Sequence, residues 1–506
     1  MSASLLGFVL MTVPAMAQES DALPGLANPG DTPTTFENPE LFAKYQATIT
    51  ADDLAAHLYF FASDFFEGRE TTARGQKMAA EYLAGQYRKM GLAPKGTAAT
   101  DNPRSPRAYL QPFPLYESKF DKAELFLNGS EVADHTFGGD QTDGSFLTMF
   151  GGSSDVTASL VFAGYGIGDD GLGYDDFAAL EAAGIDYSGK WVMMLADEPM
   201  KDAETSLFPT ENNEVSAWTT SRFNKLRPFF QTETPPAGIF VVGDLSMRQN
   251  GSVYDAAMAG ASSSAGVGSL SLEKPTGEGR GSRFPTVLNI SADLANKMIA
   301  SSGKTVQDVK ASIDSSLKPV VFESDMSVRA SVANIIVETF SENVLAFIEG
   351  SDPMLKDEYV VISSHYDHVG MNDSEEDGIF NGADDDGSGT VSVLEIAEAF
   401  QKAKNDGNGP RRSVIFLNVS GEEKGLLGSA FYTDYEPVVP LEKTVTNLNI
   451  DMIGRIDPTH TGDTDDYVYI IGSNLVSQEL HDINIRVNEI IGTDLDLNER
   501  FNSKDD

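Results

Sequence analysis

The stretch from Tyr359 to Arg455 constrains this chain most, because four short polar phrases within it each adjoin an apolar run. The apolar runs, such as 413–419, predict buried parallel strands. The phrases are SSHYD at 363–367, GADDDGSG at 382–389, SGEEKG at 420–425 and NID at 449–451. Ligands of open α/β sheets bind at the carboxyl ends of the strands. One His with several Asp and Glu there predicts a site for zinc or for a hard cation.

The chain has no cysteine, and this absence decides which metal ligands it can offer. A thiolate metal site, a thiol nucleophile and a lipid anchor on cysteine are all excluded, so the ligands must be His, Asp and Glu. The sequence also contains neither a G-x-S-x-G nor an H-E-x-x-H motif. Serine hydrolase chemistry and a zinc site carried on one helix are therefore unsupported.

Length and charge bound the class of protein. A chain of 506 residues, 41% of them hydrophobic, predicts two or more domains with ample core. Lys and Arg number 36 and Asp and Glu number 77, so the formal net charge is −41. Such a chain cannot neutralise phosphates, which excludes nucleic acid as a partner. The acidity is typical of a solvated surface in a saline setting, and an acidic field that attracts amines or metals is a secondary interpretation.

The N-terminus has the features of a secretory signal, although a positively charged region is missing. Residues 5–14 form a short apolar region, and 15–17 is an A-x-A cleavage site. We predict a signal peptide at 1–17, a flexible leader at 18–47, and a secreted or periplasmic location. After residue 17 no apolar run is long enough to span a bilayer, so no membrane span is expected.

Periodicity and turn residues predict alternating strands and helices. Helices are expected after a cap at Thr50 and at 76–90, 389–402, 426–435 and 475–491. Strands are expected at 123–127, 159–163, 191–195, 238–242, 333–337, 344–348, 359–364, 413–419 and 467–471. This alternation predicts an α/β fold with a mixed, mostly parallel sheet sandwiched by helices.

The order of the four phrases resembles that of the zinc-dependent M28 peptidases, a co-catalytic aminopeptidase family. The sequences that carry the resemblance are HYD at 365–367, DDDGSG at 384–389, GEEKGLLGS at 421–429 and NIDMIGR at 449–455. The segment 61–69 is also similar to the opening of that family's peptidase domain. The resemblance implies the zinc exopeptidase fold, with peptidase parts at 48–118 and 326–506.

Residues 119–325 form a predicted insertion that is rich in β-structure. The sequences LVFAGYG at 160–166, YDD at 174–176 and SGKW at 188–191 are similar to the protease-associated (PA) domain found in many M28 peptidases. The resemblance implies that the insertion shapes access to the active site and takes no part in the chemistry. An unrelated β-rich insertion is the alternative.

The resemblance also implies a site for two zinc ions. His365, Asp385 and Asp451 match the ligands of the first ion, and Asp385 matches the residue that bridges to the second. Glu423 and one more His would complete the second site. The family has a cis peptide bond after the position of Asp385.

Two further residues have implied roles without being ligands. Glu422 matches the general base that takes a proton from water. Asp367 is placed to hold the second ring N–H of His365, which fixes the tautomer. A lone His after a strand is more often structural, but the three companion phrases favour a metal site here.

One ligand of the family pattern is absent from this chain. The further His follows the Asp451 position by several tens of residues in the family, whereas only His460 and His481 follow it here. His460 is too close to Asp451 in the sequence, and His481 falls in a predicted amphipathic helix, where a structural role is expected. His368 is expected to be a neighbour in the pocket and not a ligand. The resemblance therefore implies that the end of the peptidase domain, with the last ligand, lies beyond Asp506.

The implied function is that of an exported zinc-dependent exopeptidase acting on peptides, and an aminopeptidase is preferred. A carboxypeptidase or a glutaminyl cyclase on the same scaffold is the first alternative. A binding protein that kept the fold without catalysis is the second. Such proteins usually lose ligands, whereas each implied ligand position up to Asp451 is filled here.

Overall fold

The computed structural model describes residues 38–102, 104–136, 146–150, 153–169, 171–202, 205–210, 214–220, 222–232, 234–243, 269–274, 285–372, 377–460, 466–493 and 495–502. The predicted signal peptide at 1–17 and residues 18–37 of the predicted leader lie outside these ranges.

The helices and strands are numbered here in chain order. The helices are α1 Pro39–Gln46, α2 Ala51–Phe61, α3 Arg74–Met90, α4 Asp176–Ala182, α5 Ala217–Thr220, α6 Arg222–Phe230, α7 Ala292–Ile299, α8 Val306–Ser316, α9 Gly389–Asn405, α10 Leu427–Ala430, α11 Ser473–Val476 and α12 Gln478–Ile491. The strands are β1 Ala93–Pro94, β2 Leu110–Leu127, β3 Ser130–Thr136, β4 Phe146–Phe150, β5 Ser154–Ala163, β6 Gly168–Asp169, β7 Tyr174–Asp175, β8 Trp191–Leu195, β9 Gly238–Val242, β10 Ser269–Ser271, β11 Thr286–Ile290, β12 Val321–Ile348, β13 Tyr359–His365, β14 Ser413–Val419, β15 Thr444–Asn449, β16 Tyr467–Tyr469 and β17 Asp496–Asn498. Shorter helical turns lie at Asp64–Arg69, Pro106–Tyr109, Ala300–Ser302, Ala383–Ser388, Phe431–Tyr435 and Leu441–Lys443. Within the described ranges, none of the helices has the length and apolarity needed to cross a membrane.

Strand β12 is the longest strand and joins the two halves of the molecule. Its first part pairs antiparallel with β5, the stretch from Val328 to Val344 pairs antiparallel with β2, and its last five residues pair with β14. The strands predicted at 333–337 and 344–348 are therefore parts of a single strand. The predicted domain boundaries after 118 and 325 fall inside β2 and β12. A two-stranded ribbon, and not a linker, connects the halves.

The half that contains the four phrases is built on three parallel strands. Strands β15, β13 and β14 are parallel neighbours in that order, and β12 lies antiparallel beside β14. Alternate residues of β14 enter two different cores, because successive side chains of a strand point to opposite faces. Phe416 packs with Tyr87 of α3 and Leu394 of α9, whereas Leu417 packs with Tyr432 on the other face. The predicted α/β class with a mixed sheet is confirmed.

The other half has its own cores, on the two faces of a second group of strands. Strands β5, β8, β9 and β11 are parallel, and β4 is antiparallel to β11. One core contains Trp191 and Phe240 together with residues of α7 and α8, and the other contains Phe229 of α6. The region is rich in β-structure, as predicted. Its membership of the PA type stays a prediction.

Local sequence explains where several helices begin and end. Thr50 caps α2 by accepting a hydrogen bond from the Asp53 N–H, as predicted. Helix α3 ends at Gly91, whose φ of 87° suits a glycine at that position. The helix predicted at 475–491 is two helices, because the Ser477 side chain caps α12 separately. The helix predicted at 426–435 is the short α10 followed by the turn at 431–435.

The predicted leader differs from the structure at its end. Residues 39–46 form α1, whereas a flexible segment is predicted through residue 47. The Asn38 side chain accepts a hydrogen bond from the Leu41 N–H, and Lys44 pairs with Asp406 of α9's C-terminal end. A proline-containing sequence can begin a helix, because proline is well tolerated in the first turn.

A chain of buried hydrogen bonds connects α3 to the end of β13. The Tyr87 hydroxyl donates to Asn418 Oδ1 (2.6 Å), and Asn418 Nδ2 donates to Ser364 Oγ (2.7 Å). The hydroxyls of Ser364 and Thr390 lie 3.2 Å apart, and Thr390 donates to the main-chain oxygen of His365 (2.7 Å). All five residues are buried. The chain holds the main chain of His365 against α9.

Substitution of Asn418 tests how much this chain of hydrogen bonds contributes to stability. Asn418→Ala should lower the free energy of unfolding by about 2 kcal/mol, because it leaves the Tyr87 hydroxyl buried without its acceptor. Tyr87→Phe should cost less, and the double variant should cost less than the sum of the two. Urea unfolding of all four proteins at one pH measures the coupling. Strictly additive losses would contradict the hydrogen-bond chain.

Candidate metal centre

The three parallel strands of the half that contains the four phrases end at the same edge of the sheet. His365 is the last residue of β13 and lies opposite Val419, the last residue of β14. Strand β15 pairs with the other side of β13 and ends at Asn449. The acidic phrases at 420–425 and 449–451 lie at the ends of β14 and β15. The structure therefore brings together the side chains that the four phrases predict to converge.

His365 is the centre of the first group of possible ligands. Its ring is buried, and Nε2 lies 3.1 Å from Asp385 Oδ1, 3.7 Å from Asp451 Oδ2 and 3.9 Å from Glu422 Oε2. The other nitrogen, Nδ1, lies 3.2 Å from the main-chain oxygen of Asp367 and 3.7 Å from its carboxylate. A proton on Nδ1 bonds best to the main-chain oxygen. That tautomer directs the Nε2 lone pair at the carboxylates.

Asp367 is buried and has partners of its own. Its Oδ2 accepts a hydrogen bond from the Thr71 hydroxyl (2.6 Å), and its Oδ1 accepts one from the Glu422 N–H (3.3 Å). The residue therefore holds the ring of His365 through its main chain and the loop of Glu422 through its carboxylate.

Of the three adjacent aspartates, Asp385 and Asp384 point to different partners. Asp385 faces the His365 ring, as described, and the peptide bond between Asp385 and Asp386 is cis. Asp384 Oδ1 accepts a hydrogen bond from the Gly454 N–H (2.8 Å). The Asp384 carboxylate thereby ties the loop after Asp451 to this turn.

Asp386 is the most buried of the three and joins three segments of main chain. Its carboxylate accepts hydrogen bonds from the N–H groups of His365 (3.1 Å), Gly389 (2.9 Å) and Met452 (3.3 Å). These donors belong to the end of β13, the start of α9 and the loop after β15. Asp386 therefore positions the site without facing it.

His368, Asp385 and Glu423 form a second group of possible ligands. The Nδ1 atom of His368 lies 2.7 Å from Glu423 Oε1. The possible ligand atoms of this group lie within 4.8 Å of one another, and so do those of His365, Asp385 and Asp451. Asp385 belongs to both groups, so its carboxylate is available to either. His368 is predicted to be a neighbour and not a ligand, whereas here it offers a nitrogen to the second group.

Burial and crowding shift the pKa values in this site. Burial raises the pKa of Glu422 to about 7, with neighbouring carboxylates adding to the shift and His365 opposing it. Burial and the nearby Asp451 raise the pKa of Asp386 to about 8. Burial disfavours a charged His365 ring, but three carboxylates outweigh this effect and raise the pKa of His365. A divalent cation relieves such crowding, and this set of nitrogen and oxygen donors suits zinc. The residues present fit the metal.

The two histidines after Asp451 lie outside both groups. The His460 ring stacks on Tyr467 with the ring centroids 3.7 Å apart. His481 Nδ1 lies 3.0 Å from the Ser473 hydroxyl, and the ring of His481 is buried in α12. The contacts of His481 agree with the structural role expected for it.

Three residues that support this site escape sequence reasoning: Arg69, Thr71 and Asp386. The segment 61–69 resembles the opening of the family's peptidase domain, and the triple aspartate is conspicuous. Neither signal assigns a role to Arg69 or Asp386, because their partners are main-chain atoms of distant segments. No motif includes Thr71.

Residues 343–506 match the model of peptidase family M28. This part of the chain is an M28 peptidase domain. It is 34% identical over 132 residues to the aminopeptidase NAALADL1 of Rattus norvegicus, and the match covers 26% of this chain and 16% of that protein. It is also 34% identical over 110 residues to the probable glutamate carboxypeptidase LAMP1 of Arabidopsis thaliana, which covers 22% of this chain and 14% of that protein.

The matched part therefore spans about a sixth of the length of those curated relatives. Among solved structures, a zinc aminopeptidase from Bacillus subtilis aligns with a TM-score of 0.42 at 16% identity. That alignment covers 88% of this chain and 79% of the other. The family match confirms the predicted resemblance to the M28 peptidases for residues 343–506.

The close packing at the start of α9 provides a test of how the possible ligands are positioned. A Cβ added at Gly389 would overlap the main-chain oxygen of Ile450 and the carboxylate of Asp386. Gly389→Ala should therefore displace Asp451, which follows Ile450, and lower the affinity for zinc about tenfold or more. Competition with a chelator measures that affinity. Gly85→Ala in α3 is the control, because nothing lies within 4 Å of its added Cβ. Unchanged affinity in Gly389→Ala would contradict the geometry described here.

Proposed function

We propose that this protein is an exported, zinc-dependent aminopeptidase that removes N-terminal residues from peptides. One observation carries the proposal: two groups of possible ligands share Asp385, and Glu422 lies beside the first group without belonging to either. That arrangement supplies two cations with protein donors and leaves one carboxylate free for proton transfer. The M28 match over 343–506 supports the peptidase class.

The two groups assign donors to two zinc ions. His365, Asp385 and Asp451 would hold the first ion, and Asp385, Glu423 and His368 would hold the second. When bound, zinc polarises the scissile carbonyl and lowers the pKa of a water molecule. His368 would supply the nitrogen donor of the second group.

Glu422 is the general base. It takes a proton from the attacking water and passes it to the leaving amine. Its carboxylate is partly buried, and burial raises its pKa to about 7, which suits a group that both accepts and returns a proton near neutral pH. Asp367 fixes the Glu422 main chain through its 3.3 Å hydrogen bond.

The charges around the site favour recognition of a free amino end. A carboxypeptidase needs a cation for the substrate carboxylate, but three described cations near this site each have another partner. Lys424 pairs with Glu70 at 2.9 Å, Arg69 donates to main-chain oxygens, and Arg455 lies 3.9 Å from Asp384. The surplus of carboxylates attracts a protonated amine.

Export rests on the apolar region and cleavage site within residues 1–17.

The base is tested by Glu422→Gln, which keeps the shape of the side chain and removes its basicity. Turnover should fall by about 10³-fold while zinc stays bound. The assay compares a peptide with a free N-terminus and an amidated C-terminus against one that is N-acetylated with a free C-terminus. The unaltered protein should cleave only the first peptide. Glu442→Gln, at an exposed position, is the control and should cleave that peptide as fast as the unaltered protein does. Retained turnover in Glu422→Gln would refute the assignment, and cleavage of only the acetylated peptide would favour the carboxypeptidase alternative.

The second ion is tested by counting zinc after dialysis, with plasma mass spectrometry. The unaltered protein should hold about two zinc ions per chain. His368→Ala should hold about one, and Asp385→Ala should hold fewer still, because Asp385 belongs to both groups. His460→Ala is the control. Two zinc ions retained in His368→Ala would show that another residue completes the second site.

A further inference from the structure

Arg69 is a fully buried arginine below the metal centre, and the established match at 343–506 does not include it. Its Nε donates to the main-chain oxygen of Tyr366 (2.9 Å). Its Nη1 donates to the oxygens of Asn381 (2.7 Å) and Phe61 (3.2 Å), and its Nη2 donates to that of Gly382 (2.8 Å). One planar group thus bonds to three separate segments of main chain.

Two of these segments carry the possible zinc ligands. Tyr366 follows His365 directly, and Asn381 and Gly382 precede the turn that contains Asp385. The distance between the Tyr366 and Gly382 main-chain oxygens is therefore set by the width of the guanidinium group. Because Asp385 is common to both groups of possible ligands, this spacing bears on both ions.

The main-chain oxygens of Gly68 and Arg69 also form hydrogen bonds with the segment that follows His365. The His368 N–H donates to the Arg69 oxygen (3.2 Å), and the Gly370 N–H donates to the Gly68 oxygen (3.0 Å). A Cβ at Gly68 would overlap the Gly370 main chain, so the two loops lie in direct contact. The segment ending at Arg69 is thus packed along the loop that carries His368.

The charge of Arg69 has an unusual set of partners. All four of its hydrogen bonds go to main-chain oxygens, and none goes to a carboxylate of the described residues. The guanidinium also lies over the Phe61 ring, 4.6 Å from its centroid. A buried cation of this kind is costly unless other charges offset it. The negative charges of Asp367, Asp386 and Asp385 favour the charged guanidinium and oppose the effect of burial, which lowers the pKa of Arg69 to about 10.

We propose that Arg69 is a positioning residue for the metal centre, which sets the spacing of the His365 and Asp385 segments and offsets part of their acidic charge before zinc binds. The inference rests on the proposed function, because it takes zinc as the ion held there. Lysine cannot replace it, since an ammonium is a point charge and cannot span three main-chain oxygens with fixed geometry.

The test compares Arg69→Lys and Arg69→Ala with Arg74→Lys and Arg74→Ala. Arg74 belongs to the same part of the chain, is exposed, and pairs at the surface with Glu67, so it is a matched control. For each full-length protein, zinc affinity is measured by competition with a chelator, and unfolding of the metal-free protein is measured by heating. Arg69→Lys should bind zinc about 10- to 100-fold more weakly and still unfold cooperatively. Both Arg74 variants should bind as the unaltered protein does.

Chemical rescue separates positioning from general packing. In Arg69→Ala, added methylguanidinium should restore part of the zinc affinity, whereas methylammonium at the same concentration should not. In the peptide assay, Arg69→Lys should lower kcat more than it raises KM, because the substrate's own contacts remain.

Three outcomes would overturn the inference. Zinc affinity in Arg69→Lys equal to that of the unaltered protein would show that the spacing does not depend on Arg69. Loss of cooperative unfolding in both metal-free Arg69 variants would assign the residue to folding alone. Failure of the unaltered protein and the Arg74 variants to bind zinc would instead refute the proposed metal site, and the inference with it.

Discussion

The crowding of acidic side chains where β13, β14 and β15 end is the constraint on which this site depends. Carboxylates held close together repel strongly in a partly buried setting. The carboxylates of Asp367 and Asp386 accept hydrogen bonds from N–H and hydroxyl groups. Asp385 is left facing His365, where a divalent cation would offset its charge. The ends of the parallel strands bring the acidic side chains together. The hydrogen bonds occupy some of these carboxylates and leave Asp385 available for a metal ion.

The site also depends on chain that lies far away in the sequence. Tyr366 and Arg69, which share a hydrogen bond, are 297 positions apart. Tyr87 of α3 supports the end of β13 through Asn418, and Thr71 holds Asp367. The segment from α2 to α3 therefore supports the candidate metal centre together with the M28-matched region.

Residues of the second half of the molecule also lie against the helix that follows the Glu422 loop. Strand β10 pairs with β2, and Leu270 and Leu272 pack against a small apolar cluster that contains Phe113, Leu115 and Leu427. Leu427 begins α10, directly after the loop that carries Glu422. The insertion therefore lies next to an element that follows the Glu422 loop, and whether it is a PA domain that shapes access to the site stays a prediction.

The sequence alone determined the α/β class, most of the strands and helices, and the identity of His365, Asp385, Glu422, Glu423 and Asp451 as site candidates. Those inferences depend on short-range patterns, namely apolar runs, caps and polar residues at strand ends. Only the tertiary structure joined 333–337 and 344–348 into one strand, because pairing with β2 continues across both. It alone gave Arg69, Asp386 and His368 their partners, since each contact joins residues that no local pattern relates.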